Sequence, residues 1–157
     1  MKKIFAFLIA LAMLGLTGCR QDANSPVITP GPTQTGFQGL TVSIDRLNPE
    51  EGTLLVKWRN DTPYEAFYGS SFTIERLEGE EWVSCLIRED LAFDLVAYEL
   101  KAGQSLERSY HLTGNFDISA PGTYRFRTTC FLYDKGYYTT EYTLTAEFTA
   151  DNLSGRK

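Results

Sequence analysis

Thr123-Tyr124-Arg125-Phe126-Arg127-Thr128-Thr129-Cys130-Phe131-Leu132, then Tyr133-Asp134-Lys135-Gly136-Tyr137, then Tyr138-Thr139-Thr140-Glu141-Tyr142-Thr143-Leu144-Thr145-Ala146-Glu147-Phe148, is the stretch that decides the fold. In the first part Tyr124, Phe126, Thr128, Cys130 and Leu132 fall on one side of an extended chain. In the last, Tyr142, Leu144, Ala146 and Phe148 do the same. Apolar residues at every second position mark strands with one buried face, because successive side chains of a strand point to opposite sides. Between them Asp134-Lys135-Gly136 predicts a type I turn with glycine in the left-handed bulge position, so the two strands form a hairpin.

Upstream the same period recurs. Leu40, Val42 and Ile44 alternate with polar neighbours until Asn48-Pro49-Glu50-Glu51-Gly52 ends the run, and Thr53 to Arg59 places Leu54, Val56 and Trp58 on one face. Asn60-Asp61-Thr62-Pro63 breaks that strand. Ser71 to Leu77 and Glu81 to Ile87 are two further strands around Glu78-Gly79-Glu80, with Trp82 expected to pack inward near the turn. Residues 88 to 100 read as a strand-like crossover, and Ser105 to Leu112 puts Leu106, Tyr110 and Leu112 on one face with His111 on the wetter one. Seven or eight short strands with regularly spaced turns and few helical candidates predict an all-β protein, an antiparallel β-sandwich spanning 37–150.

The beginning of the chain reads differently. Met1-Lys2-Lys3 is a short basic head, Ile4 to Leu14 is continuously apolar, and Leu16-Thr17-Gly18-Cys19 follows. The apolar core is too short to span a bilayer stably. This arrangement resembles the signal peptide and lipobox of bacterial lipoproteins, which implies removal of 1–18 and a diacylglyceryl group, later with palmitate, on Cys19. Two chains are what stable anchoring requires. The expected location is then the cell membrane, lipid-anchored and facing outside the cytoplasm. Residues 19–36 carry Pro26, Pro30 and Pro32 and little to bury, and read as a flexible tether; 151–157 read as a polar tail.

The chain has 157 residues, 15 Lys and Arg against 20 Asp and Glu, and a net charge of −5, which becomes −7 if Lys2 and Lys3 leave with the signal segment. It contains no run of Lys or Arg, so nucleic acid is not an expected partner. The acidic balance also argues against flat docking on anionic lipid.

Ala120-Pro121-Gly122-Thr123-Tyr124 is similar to the tyrosine corner of immunoglobulin-like folds, in which the hydroxyl satisfies a nearby backbone group. With Trp58-Arg59-Asn60, Tyr68-Gly69, Phe72 to Glu75, Gly79, Trp82 and Leu100 to Gly103, the region from Leu40 to Ala150 resembles the bacterial immunoglobulin-like domain found in lipoproteins of Gram-positive bacteria. Ala102-Gly103 stands where such a family would carry Pro-Gly. The resemblance implies an immunoglobulin-like sandwich and brings no catalytic residues.

Enzyme signatures are absent: there is no Gly-x-Ser-x-Gly elbow, P-loop, His-Glu-x-x-His or dinucleotide fingerprint. The expectation is a protein that is not an enzyme and needs no cofactor. Arg88 to Asp94 with Asp117 lacks the spacing of a calcium loop and reads as a solvated acidic loop. A single histidine leaves no expected zinc site. Cys85 and Cys130 are either a disulfide of an exported domain or two free thiols, and an intervening strand would hold them too far apart to bond. The candidate binding residues are loop aromatics: Tyr64, Phe67 and Tyr68 between the second and third strands, and Tyr133, Tyr137 and Tyr138 between the last two. In an immunoglobulin-like sandwich these loops emerge at one end, where tyrosines offer large contact area at low entropic cost. The usual topology would also start the first strand there, near the tether. The expected function is a lipid-anchored, extracytoplasmic binding or accessory module, with an envelope protein or glycan as partner. The alternative is a proteinase inhibitor that inserts a rigid, protruding loop, best sought at 60–69.

Overall fold

The computed structural model describes residues 28–34, 38–48, 50–88, 90–139 and 141–150, and every regular element in them is a strand. The strands are β1 (Ile28–Gln34), β2 (Leu40–Asn48), β3 (Thr53–Asn60), β4 (Glu65–Glu78) and β5 (Glu81–Ser84). They continue with β6 (Tyr98–Leu100), β7 (Ser105–His111), β8 (Gly122–Asp134), β9 (Tyr137–Tyr138) and β10 (Tyr142–Ala150). One sheet runs β1-β10-β8-β4-β5, with β6 added to β4 and β9 to β8; the other is β2-β3-β7, and all pairings are antiparallel.

The all-β sandwich expected from period two is what forms. Alternation sends Tyr124, Phe126, Thr128, Cys130 and Leu132 of β8 inward, with Leu144, Ala146 and Phe148 of β10 beside them. Leu40, Val42, Leu54, Val56 and Trp58 of the facing sheet close on them with no exposed surface. Burying each such side chain contributes about 1.5–3 kcal/mol. The Tyr124 hydroxyl donates to the carbonyl of Ala120, the contact that the tyrosine-corner resemblance implies.

Asn60, the last residue of β3, is wholly buried and joins three segments. Its amide nitrogen donates to the carbonyls of Tyr64 (2.8 Å), Leu100 (3.0 Å) and Lys101 (3.2 Å). Its Oδ1 accepts from the Thr62 backbone (3.0 Å) and the Thr62 hydroxyl (2.6 Å). The backbone adds Asn60 N–H to Gln104 and Gly103 N–H to Asn60. The β3–β4 turn is thereby fastened to the β6–β7 turn, where Gly103 takes φ +74°, a conformation that only glycine adopts without strain.

Several elements differ from the sequence reading. Residues 28–34, placed in the tether by their prolines, pair with β10 as β1; proline cannot donate in a ladder, so it is compatible with an edge strand, and the register shifts between Pro30 and Thr33. With the short β6 and β9 this brings ten strands instead of seven or eight. Residue 88 and residues 90–97 are irregular, and among the described residues of 88–100 strand pairing occurs at Tyr98–Leu100. Trp82 is not a core residue: it is half-buried on the outer face, with the Arg125 guanidinium 4.4 Å from its ring centroid. The hairpin after β8 is tighter than a bulged type I turn, since Lys135 (φ 49°) and Gly136 (φ 93°) are both left-handed, the signature of a two-residue type I′ connection.

Cys85 and Cys130 are both free thiols. The Cys85 N–H donates to Ile74, whose partner on β8 is Phe126, so Cys130 lies four residues further along with β4 intervening. Four residues of strand span roughly 13 Å, well beyond the ~7 Å limit between bridged Cα atoms.

Two predictions follow from these contacts. Asn60→Ala removes five side-chain hydrogen bonds and leaves buried carbonyls without donors, and at about 1–3 kcal/mol per orphaned group it should cost 3 kcal/mol or more in urea unfolding. A loss under about 1 kcal/mol would show that water replaces the amide. Burial pushes the Cys130 thiol up to about 12 from its ordinary 9.0. The thiol is raised in the folded state, so its contribution is complete below pH 9 and lost as pH climbs from 9 toward 12. Unfolding free energies of wild type and Cys130→Val measured across that window should converge as pH rises; parallel curves would contradict the shift.

Candidate functional site

Antiparallel register fixes the two ends of the sandwich. The β3–β4 turn, the β6–β7 turn and the Lys135-Gly136 hairpin lie at one end, because Glu65 pairs with Tyr133 and Ser105 with Arg59. At the other end Ile28, Ala150 and Gly122 stand side by side on β1, β10 and β8. The twelve residues of β8 from Gly122 to Tyr133 therefore separate the start of β1 from the hairpin by about 35 Å. The strand expected to come first, β2, does begin beside the tyrosine-rich loops, since Leu40 pairs with Asn60; the additional β1 that precedes it starts at the opposite end.

At the hairpin end the candidate aromatics divide by strand parity. Ala66 and Tyr68 of β4 point inward, so Phe67 between them points outward, opposite Phe131. On β8, Cys130 and Leu132 are buried while Phe131 and Tyr133 are each 36% exposed. The hairpin then folds Tyr138 back opposite Tyr133. Phe67 meets Tyr138 edge-on at 5.5 Å between centroids and Tyr133 at 6.1 Å, and Tyr133 lies 5.2 Å from Tyr138. Such edge contacts fix the rings relative to one another and leave their outer surfaces wet. Tyr138 is 62% and Tyr137 78% exposed. Exposed Glu65, Glu99 and Lys135 border the group. The result is a patch of four aromatic rings, Phe67, Phe131, Tyr133 and Tyr138, on the outer face of the larger sheet, rimmed by charge.

Three of the loop candidates do not belong to it: Tyr137, which pairs with Asp134 and so faces away from Tyr138, and two that pack inward. Tyr68 is a core residue, 3% exposed, stacked on Trp58 at 4.0 Å; burial pushes its hydroxyl pKa up. Arg108 reaches over the same region, 3.5 Å from the Tyr98 ring centroid. Tyr64 is half-buried and packs against the core. Phe131 was missing from the loop candidates although its place between Cys130 and Leu132 in an alternating strand already points it outward.

The segment 60–69 does not protrude as an inhibitory loop would. Asn60 and Thr62 are buried, the turn is bonded through both side chains, and from Glu65 onward the chain is strand. The described acidic residues of 88–94, Asp90 and Asp94, do not converge with Asp117: Asp90 holds Arg88 through two hydrogen bonds of 2.9 and 3.0 Å, and the exposed Asp117 accepts from Ser119. Among the described residues no three His, Cys, Asp or Glu side chains stand close enough to hold a metal ion. His111 is exposed at the end of β7. Cys19 and the signal segment lie outside the described residues.

Residues 36–149 match the family model of the bacterial Ig-like domain. No curated protein and no solved structure was found to match the chain.

Proposed function

The chain belongs to the family of bacterial immunoglobulin-like domains, and from that premise we propose that it is a non-catalytic, extracytoplasmic binding or accessory module, held at the membrane by a lipid on Cys19. The observation that carries the reading is the outward group Phe67, Phe131, Tyr133 and Tyr138, fixed by strand and hairpin and left open to solvent beside the exposed hairpin residue Tyr137. Contiguous exposed apolar surface with a polar rim is the usual mark of an interaction site. Tyrosine suits it, since each ring brings area with two rotatable bonds and a hydroxyl that stays hydrated.

The geometry gives this reading a direction. Eight residues, 20–27, separate Cys19 from Ile28, a reach of at most about 32 Å. A lipid on Cys19 would hold the Ile28 end near the bilayer and point the aromatic patch away from it, toward an envelope protein or a glycan.

Retention of envelope components on the immobilised protein tests the patch. We expect a ligand held by the wild type and lost when Tyr133, Tyr137 and Tyr138 are changed to Ser; equal retention by the variant would overturn the assignment. For the anchor, Cys19→Ser should move the protein out of the processed, membrane-bound fraction. Processed protein that remained membrane-bound without this thiol would contradict lipidation there.

A further inference from the structure

The ten large apolar side chains left exposed among the described residues fall into two groups. Phe131, Tyr133, Tyr137 and Tyr138 lie at the hairpin end. The others lie along β4, β5 and the irregular segment that follows, and three of them, Val83, Leu86 and Ile87, border paired cavities at the end where β1 starts.

These cavities are built by a short ladder. The Ile87 N–H donates to the Asn115 carbonyl (2.8 Å) and the Asp117 N–H to the Cys85 carbonyl (2.8 Å), so the strand leaving β5 is stitched to the loop between β7 and β8. On one side opens a cavity of about 280 Å³ whose walls include Leu47, Leu112, Phe116 and Ile118. On the other opens one of about 310 Å³ with Arg76, Glu78, Ser84 and Cys85 in its walls. Ile87 and Asp117 line both. Each is at the lower edge of the size of ligand sites, and the two adjoin at Ile87 and Asp117.

Charge decides which head group the polar side accepts. Arg76, its one cation, is engaged by the Glu78 carboxylate. Asp117 is bonded only through Oδ1, to the Ser119 N–H (3.1 Å) and hydroxyl (2.6 Å), and has no ion-pair partner among the described residues. The Ser119 hydrogen bonds and, more weakly, the Arg76 guanidinium hold the Asp117 carboxyl below its ordinary range, so Glu78 and Asp117 share one cation and the polar cavity keeps an excess of one negative charge, at the ridge it shares with the apolar cavity. An anionic head would meet Asp117 and Glu78; a cationic one would find a partner.

We infer that the paired cavities at Ile87 and Asp117 form a second site, for a small amphiphile with an ammonium head at Asp117 and an apolar tail against Phe116 and Ile118. It is independent of the aromatic patch and lies about 35 Å from it along β8. The cations expected to bind are primary or quaternary amines carrying a short alkyl chain.

Titration of the protein with n-octylamine, octanoate and 1-octanol, followed by the backbone amide shifts of residues 112–118, tests the site. Octylamine should bind at least fivefold more tightly than octanol, with octanoate weakest. Asp117→Asn keeps an acceptor for Ser119 and should lower octylamine affinity to that of octanol while leaving octanol binding unchanged. Glu78→Gln, which frees Arg76 and disturbs no core contact, should narrow the preference for octylamine over octanoate. Equal binding of octylamine and octanoate to the wild type, insensitivity of octylamine to both variants, or no movement of these amides with any of the three compounds would overturn the inference.

Discussion

The buried carboxamide of Asn60 is the contact on which the two-sheet arrangement depends. It ends a strand of the smaller sheet and bonds at once to the turn leading into β4 and to the turn between β6 and β7. Hydrophobic burial is non-directional and would hold two sheets face to face in many offsets. A fully satisfied polar group in the interior tolerates few, because an unmet donor or acceptor costs about as much as a large apolar contact contributes. The packing of Trp58 on Tyr68, and the 3.0 Å hydrogen bond from the Trp58 indole to the Tyr110 hydroxyl, sit just below this knot and share its geometry.

Strand parity then converts the fixed framework into surface chemistry. Because Tyr68 must face Trp58, Phe67 has to face solvent; because Cys130 and Leu132 fill the core, Phe131 and Tyr133 cannot. A bulge of Gly69, Ser70 and Ser71 separates the pairs Tyr68–Cys130 and Phe72–Thr128, and the Thr128 hydroxyl secures it by donating to the Ser71 carbonyl (2.9 Å). It lets β4 continue with Phe72 and Ile74 inward, so one strand serves both the hairpin end and the opposite end of the sheet. The exposed aromatic patch and the core are the two faces of the same strands.

The fold was legible where the period was clean. Leu40 to Ile44, Thr53 to Arg59 and the Thr123–Phe148 hairpin declare their inner faces residue by residue, and the structure follows them. The site was less so. Tyr64, Phe67 and Tyr68 look alike in sequence, and only the start of β4 at Glu65 tells which parity each takes. Trp82 read as core because size usually goes inward, yet a neighbouring guanidinium covers it on the outer face. Residues 28–34 carry two prolines and no clear alternation, so their pairing with β10 depends on a partner more than a hundred residues away, which local patterning does not encode. The paired cavities around Ile87 and Asp117 come from a loop-to-loop ladder without any motif.

The opposition of anchor and patch is the central claim, and distance from the bilayer tests it most directly. Two single labels, one replacing Ser119 and one replacing Tyr137, can be placed on the membrane-bound protein and their energy transfer to acceptors at the bilayer surface compared. The account predicts efficient transfer from position 119 and weak transfer from position 137, corresponding to a difference on the order of the 35 Å length of β8. Equal transfer from both positions, or stronger transfer from 137, would contradict it.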